Sequence, residues 1–219
     1  KEKQAKDQLE RIGHVTVSEY LPILGSIDKE YYRNKLEFTF SNKRWITAEE
    51  AATRAEITES NALGFHVPRL FDKVVDIEHC HLQGTPSNEI RNFIRTYALQ
   101  HGLTFFDIRD HAGLLRNLII RTSTNGECMV IVVFYEKDEK KIQELLSAIH
   151  ENFPQITSLL YIINQKANDT IGDQEVLTFY GNDFIFEEME NLKFKVGPKS
   201  FYQTNSKQAY ELYKIARNF

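Results

Sequence analysis

The chain is poor in several features that would narrow its function at once. Its 219 residues hold two cysteines, Cys80 and Cys128, too few for a disulfide framework. Five prolines and ten glycines are too few for a long flexible linker. No run approaches the roughly 18 apolar residues of a membrane-spanning helix, so a soluble protein with no membrane partner is expected. Positive charge is not in excess: 27 Lys and Arg against 31 Asp and Glu leave a formal net charge of −4. That balance argues against broad, sequence-independent nucleic-acid binding, although one face can be basic while the whole is acidic. Neither GxGxxG nor GxxxxGK[ST] occurs, so no local glycine loop points to a nucleotide site. No secretory leader is visible, which makes a reducing cytoplasm the expected location. The first residue is Lys1 rather than methionine, so the native start is expected upstream.

What is present is a globular composition, 42% hydrophobic and 26% charged, long enough for one or two domains. Lys1 to about His14 reads as an amphipathic helix with Ala5, Leu9 and Ile12 on one face. From Tyr32 the pattern turns to period two: Tyr32, Asn34, Leu36, Phe38 and Phe40 face one way, with Asn34 the polar exception. Short strands are expected at Ala62 to His66 and Lys73 to Ile77. Ser87 is expected to cap a helix carrying Ile90, Phe93, Ile94, Tyr97 and Ala98, closed by Gly102. Two apolar strands, Leu114 to Thr122 and Glu127 to Tyr135, flank Asn125-Gly126, a hairpin signal. Asp138 opens a second helix with Ile142, Leu145, Leu146 and Ile149 as its stripe, and Ile156 to Ile163 reads as a buried strand. Val176 to Val196 is β-rich, with turns at Gly181-Asn182 and Glu190-Asn191. Ser206 to Phe219 is expected to be helical. Hairpins interleaved with helices point to an α+β fold with an antiparallel sheet.

Several constellations invite chemistry. His66, His79, Cys80 and His81 are metal-ligand types, yet neighbours on an extended chain point to opposite faces, so a self-contained zinc site is disfavoured. Neither cysteine reads as a nucleophile, and Cys128 lies in an apolar run. Tyr31, Tyr32, Arg33, Lys35, Lys43, Arg44 and Trp45 could form an RNA-contacting surface, since arginine pairs with phosphate and aromatics stack on bases. An ordinary solvated strand face explains them as well, and Arg116 and Arg121 are ambiguous in the same way. In Phe201-Tyr202-Gln203-Thr204-Asn205, Asn205 can cap the last helix, and the Gln203 amide can read a polar ligand edge.

Taken in order, Tyr32-Arg33-Asn34-Lys35, Leu63-Gly64-Phe65-His66, Val75-Asp76-Ile77 with Cys80, Leu115-Arg116 with Ile120-Arg121, and Phe201-Tyr202-Gln203-Thr204-Asn205 resemble the RNA (uracil-5-)-methyltransferase family. The closest branch is the 23S ribosomal RNA methyltransferases that carry an iron–sulfur cluster. The resemblance implies a fragment: 1–20 a helix packing on a methyltransferase domain, 21–196 the central α+β domain, and 197–219 the start of a Rossmann-like methyltransferase domain that is mostly absent. It implies S-adenosylmethionine as cofactor, with Gln203 contacting it, and 23S rRNA as partner, with Arg33 facing RNA; Lys35 beside it is the other RNA-binding candidate, from the basic stretch itself. Cys80 matches one ligand of a 4Fe-4S cluster whose other cysteines would precede Lys1, so the fragment is not expected to hold the cluster. The catalytic cysteine and base are expected beyond Phe219, the fragment is expected to be inactive, and the full-length enzyme monomeric. The first and last helices should then expose apolar surface. A stand-alone RNA-binding or protein-interaction module is the alternative.

Overall fold

The structure is a computed structural model that describes residues 1–53 and 59–219. Seven strands form one sheet: β1 (Lys35–Ser41), β2 (Ala62–Val67), β3 (Leu70–Asp76), β4 (Leu115–Thr122), β5 (Cys128–Phe134), β6 (Ser158–Ile163) and β7 (Leu177–Gly181). Their order is β3-β2-β1-β4-β5-β6-β7. Every neighbouring pair is antiparallel except β5 and β6. A parallel pair needs a crossover, which a helix between β5 and β6 supplies.

The sheet is covered on both sides, which explains why β5 is buried at every position and shows no polar alternation. On one side Phe38, Leu118, Val130, Val132 and Leu159 pack with Ile90, Ile94, Ile142, Leu145 and Ile149. Those last five belong to two helices, Ser87–Gln100 and Glu139–Asn152. On the other side Ile119, Met129, Ile131, Val133, Leu160 and Ile162 meet Ile185 and Val196. These come from a separate hairpin, β8 (Ile185–Met189) and β9 (Leu192–Val196). Each such side chain, once buried, contributes about 1.5–3 kcal/mol.

In chain order the helices are α1 (Glu2–Asp7), which runs into a π-helical turn (Gln8–Ile12), α2 (Ala48–Ala52), α3 (Ser87–Gln100), α4 (Glu139–Asn152) and α5 (Ser206–Asn218). Asp138 caps α4, its side chain accepting from Lys141 N. Ser87 does not cap α3. It is the first helical residue, and its Oγ donates to Gln83 Oε1 (2.7 Å) while Gln83 Nε2 donates to Ile120 O (3.1 Å). A buried hydroxyl thus ties helix to sheet instead of capping.

Two strand starts also differ from expectation. β3 begins at Leu70, directly after a turn at Arg69 with φ 72°. β1 begins at Lys35 rather than Tyr32 because the preceding residues bond elsewhere: Tyr31 N and Arg33 N donate to the 81 and 82 carbonyls, and Asn34 N donates to Thr204 O. The expected turns at Gly181 (φ 75°) and Glu190 (φ 54°) do close β7 and β8. The ends of the chain are loosely packed. Neither α1 nor its π turn buries a residue, and α5 buries only Ala209. Leu9, Ile12, Leu212, Tyr213 and Ile215 remain exposed on these helices, as expected of them.

Candidate functional site

The turn from β9 to α5 collects bonds from three distant parts of the chain. Gly197 N donates to Ser200 Oγ (3.0 Å), which closes the turn behind Pro198. Arg121 Nη2, from the end of β4, donates to Ser200 O (2.6 Å). Asn34 brackets the other side: its main-chain N reaches Thr204 O (2.7 Å), and its Nδ2 donates to Gln203 O (2.9 Å) and Ser206 Oγ (2.7 Å). Ser206 Oγ in turn donates to Glu187 Oε2 (3.2 Å). Glu187, 2% exposed, also accepts from Thr124 N (2.9 Å) and from the Thr124 hydroxyl. Asn205 caps α5 by accepting from Gln208 N (3.0 Å).

The result is a fixed main chain carrying a free side chain. The Gln203 backbone is held, while its exposed amide makes no side-chain hydrogen bond among the described residues. It lines a cleft of about 430 Å³ together with Phe194, Phe201, Tyr202, Tyr210, Tyr213 and Arg217. Arg217 is held by Glu190 (3.0 Å). The Tyr202 hydroxyl is buried with no partner among the described residues, and burial, then Glu187 and Tyr213, push its pKa up.

Phe201 and Tyr202 also border a second cleft, of about 730 Å³, whose far wall carries Arg33 and Lys35. Both are half-buried, and Arg33 Nε donates to Lys35 O (3.3 Å). Burial lowers the Lys35 pKa, and Arg121 and Arg33 push it in the same direction against Glu37. Thus two of the sequence-derived candidates, Arg33 and Lys35, lie in one cleft, and Gln203 lies at the neighbouring one.

The rest of the basic and aromatic set does not join them. Lys43 pairs with Asp107 (3.0 Å) and Arg44 with Glu50 (2.8 Å), while Tyr31 Oη meets His79 Nε2 (2.9 Å). Arg116 is a structural residue: it is 3% exposed, its guanidinium donates to the carbonyls of Asn164, Lys166 and Ala167, and it lies over the Phe106 ring. Asn34 and Glu187 were missed as site residues. Each carried a signal, a polar side chain at an apolar position of a period-two stretch.

Cys80 is 6% exposed and packs into the core, its N–H donating to Asn88 Oδ1 (2.8 Å). His79 and His81 lie outside the core and converge on Tyr31 instead. Among the described residues no three His, Cys, Asp or Glu side chains are grouped to hold a metal. Cys128 is core, its thiol pushed up to about 12 by burial. No helix of the described residues is long and apolar enough to cross a membrane.

No protein-family model matches the chain. Curated relatives do match along its length. A Bacteroides thetaiotaomicron protein named as an uncharacterized RNA methyltransferase is 57% identical over 222 residues, covering 100% of this chain and 49% of that protein. A Porphyromonas gingivalis protein of the same name is 58% identical, covering 100% and 48%. One from Chlorobaculum tepidum is 34% identical, covering 97% and 45%. The chain therefore spans about half the length of the curated relatives it matches. Among solved structures, Pyrococcus abyssi tRNA (uracil-54, C5)-methyltransferase in complex with S-adenosyl-L-homocysteine aligns with a TM-score of 0.69 at 22% identity, covering 99% of this chain and 46% of that one. At that identity the likeness is one of fold, a mixed α/β architecture with a mostly antiparallel sheet. By sequence, the chain is similar along its whole length to these proteins named as uncharacterized RNA methyltransferases, matching about half of each.

Proposed function

We propose that these residues are the central region of an S-adenosylmethionine-dependent enzyme that methylates C5 of a uridine in 23S rRNA, acting in the cytoplasm as a monomer. In this reading 1–20 packs on the methyltransferase domain, 21–196 is the central domain, and 197–219 begins a Rossmann-like methyltransferase domain. The observation that carries it is the 197–205 turn, where a pinned main chain presents the free amide of Gln203 to an aromatic cleft while its neighbours Phe201, Tyr202 and Thr204 line a basic one.

The aromatic cleft fits the cofactor's chemistry. Phe201 and Tyr213 offer ring faces to a sulfonium cation, and Gln203 offers both a donor and an acceptor. When bound, S-adenosylmethionine supplies the methyl group. Gln203 then orients it, the rings exclude water, and Arg33 and Lys35 hold the RNA backbone. A covalent cysteine adduct at uracil C6 would have to come from a residue outside this chain. Cys80 and Cys128 are both buried, and the Cys128 thiol is held neutral. The single thiol of Cys80 does not fit a 4Fe-4S cluster by itself, and no step is assigned to one.

The test is to assay the complete protein containing these residues on unmodified ribosomal and transfer RNA, reading 5-methyluridine by mass spectrometry. Methylation of 23S rRNA, strongly reduced in Gln203→Ala and absent from the 219-residue chain alone, is the expected result. No 5-methyluridine in any RNA would overturn the proposal, and the stand-alone binding module would take its place.

A further inference from the structure

Arg121 differs from the other deeply buried arginines. Arg91 and Arg116 lie inside the protein with their guanidinium groups hydrogen-bonded to several acceptors each. Arg121 is also buried, at 5% exposure, but among the described residues its guanidinium makes one bond, to Ser200 O; its Nε, like that of Arg91, has no partner there. Among the described residues no carboxylate pairs with it within 4.0 Å. Arg121 lines the 730 Å³ cleft.

The same cleft holds Arg33, Lys35 and Lys199, and none of these is in an ion pair among the described residues. Arg33 and Lys199 donate only to backbone carbonyls, of Lys35 and Gln174. Among the described residues Glu37, which is exposed, is the one acidic residue lining the cleft. Four cations therefore share one cleft with that single carboxylate. Burying a guanidinium unpaired is costly, and a dianionic or monoanionic oxygen cluster removes that cost by accepting from its free N–H groups.

We propose that this cleft is a phosphate-binding site, with Arg121 as its floor and Arg33, Lys35 and Lys199 as its rim, and that it takes a backbone phosphodiester of single-stranded RNA. Resting on the proposed function, it extends that reading from two rim residues to a buried anchor. The phosphate belongs to a single strand because the rings of Phe65, Phe201 and Tyr202 line the same cleft and give unstacked bases a place to stack.

The experiment is binding of a short, dye-labelled single-stranded RNA to the 219-residue chain, followed by fluorescence anisotropy, with inorganic phosphate as competitor. Arg121→Met is expected to weaken RNA roughly tenfold or more, and Lys199→Ala and Lys35→Ala roughly threefold each. Each rim variant should flatten the salt dependence by about 0.7 in log–log slope. The control is thermal stability. Relief of an unpaired buried charge leaves the Tm of Arg121→Met unchanged or higher, whereas a purely structural Arg121 would show a lower Tm and overturn the site. If Arg121→Met does not fold, the two lysine variants decide, and unchanged RNA affinity in both overturns it. Binding of phosphate without RNA overturns the assignment to RNA. Arg121-dependent RNA binding in a complete protein that makes no 5-methyluridine would leave this site standing and remove the methylation reading. Methylation with unaltered RNA binding in Arg121→Met would do the reverse.

Discussion

The sheet and the 197–205 turn are held by opposite means. Around β1, β4 and β5 the contacts are apolar and two-sided, and residues such as Phe38 and Ile131 have no exposed surface. The turn buries little of itself. It is fixed by polar bonds from Asn34, Arg121 and Glu187, which come from three other places in the sequence. Apolar packing is non-directional and sums into global stability, whereas a hydrogen-bonded turn has directional partners and sets the position of a few atoms. Damage to the first should therefore appear in folding, and damage to the second in what Gln203 can do.

The largest effect is expected at Phe38→Ala. Phe38 stacks on Phe65 (5.2 Å between ring centres) and lies under the buried Arg91 guanidinium at 5.1 Å. Its loss should lower unfolding free energy by about 3–5 kcal/mol in a denaturant titration. The folded fraction should keep its affinity for the methyl donor, and a change there would blur the division. Gln203→Ala is the converse case. Stability should stay within about 0.5 kcal/mol, while kcat/KM of the complete enzyme falls about 10- to 100-fold through loss of amide contacts. A lowered Tm would show that the amide has a packing role. Glu187→Ala lies between the two. It strands the Thr124 N–H and the Ser206 hydroxyl, costing about 1–3 kcal/mol, and it should raise KM for the methyl donor because the Gln203 turn loses a fixed point. Glu187→Ala with normal KM would break the link between network and turn.

The same division decides what was legible in the sequence. Apolar periodicity located α3, α4, β4 and β5 because burial is written in residue type at a fixed spacing. The caps at Asp138 and Asn205 were legible because they are local. The Ser87 cap failed because its hydroxyl donates to Gln83, four residues back, whose own amide is tied to Ile120 O on the distant β4. The short helix α2 was missed although Thr47 and Glu50 form a capping box, a signal present in the residues themselves. Among the site candidates, Gln203 and Arg33 came from resemblance and Lys35 from the basic stretch itself. Asn34 was noticed only as an oddity on an aromatic face, and its role needs Thr204 and Ser206, some 170 positions away. Arg116 and Arg121 look alike in sequence; only the acceptors around them separate a satisfied guanidinium from an unsatisfied one.

The smallest effect, and the finest probe of the cleft, is the titration of Lys35. Burial lowers its pKa, and the charges of Arg121 and Arg33 lower it further. The unfolded chain holds that proton up to the ordinary lysine value of about 10.4. Between the lowered folded value and that point the unfolded state binds more protons, so stability must rise with pH through this window. Below the window both states are protonated, and the destabilisation is constant. Lys35→Met removes the group altogether, so the variant should be the more stable near neutrality and lose its advantage as pH climbs. Measured as denaturant midpoints across the alkaline range, the gap between the two proteins should close. Added inorganic phosphate should shrink the gap at neutral pH, because an anion in the cleft favours the charged lysine. A gap that is independent of pH would mean that Lys35 reaches solvent freely. The cleft would then be an ordinary wet surface, and its contrast with the packed sheet would be one of exposure alone.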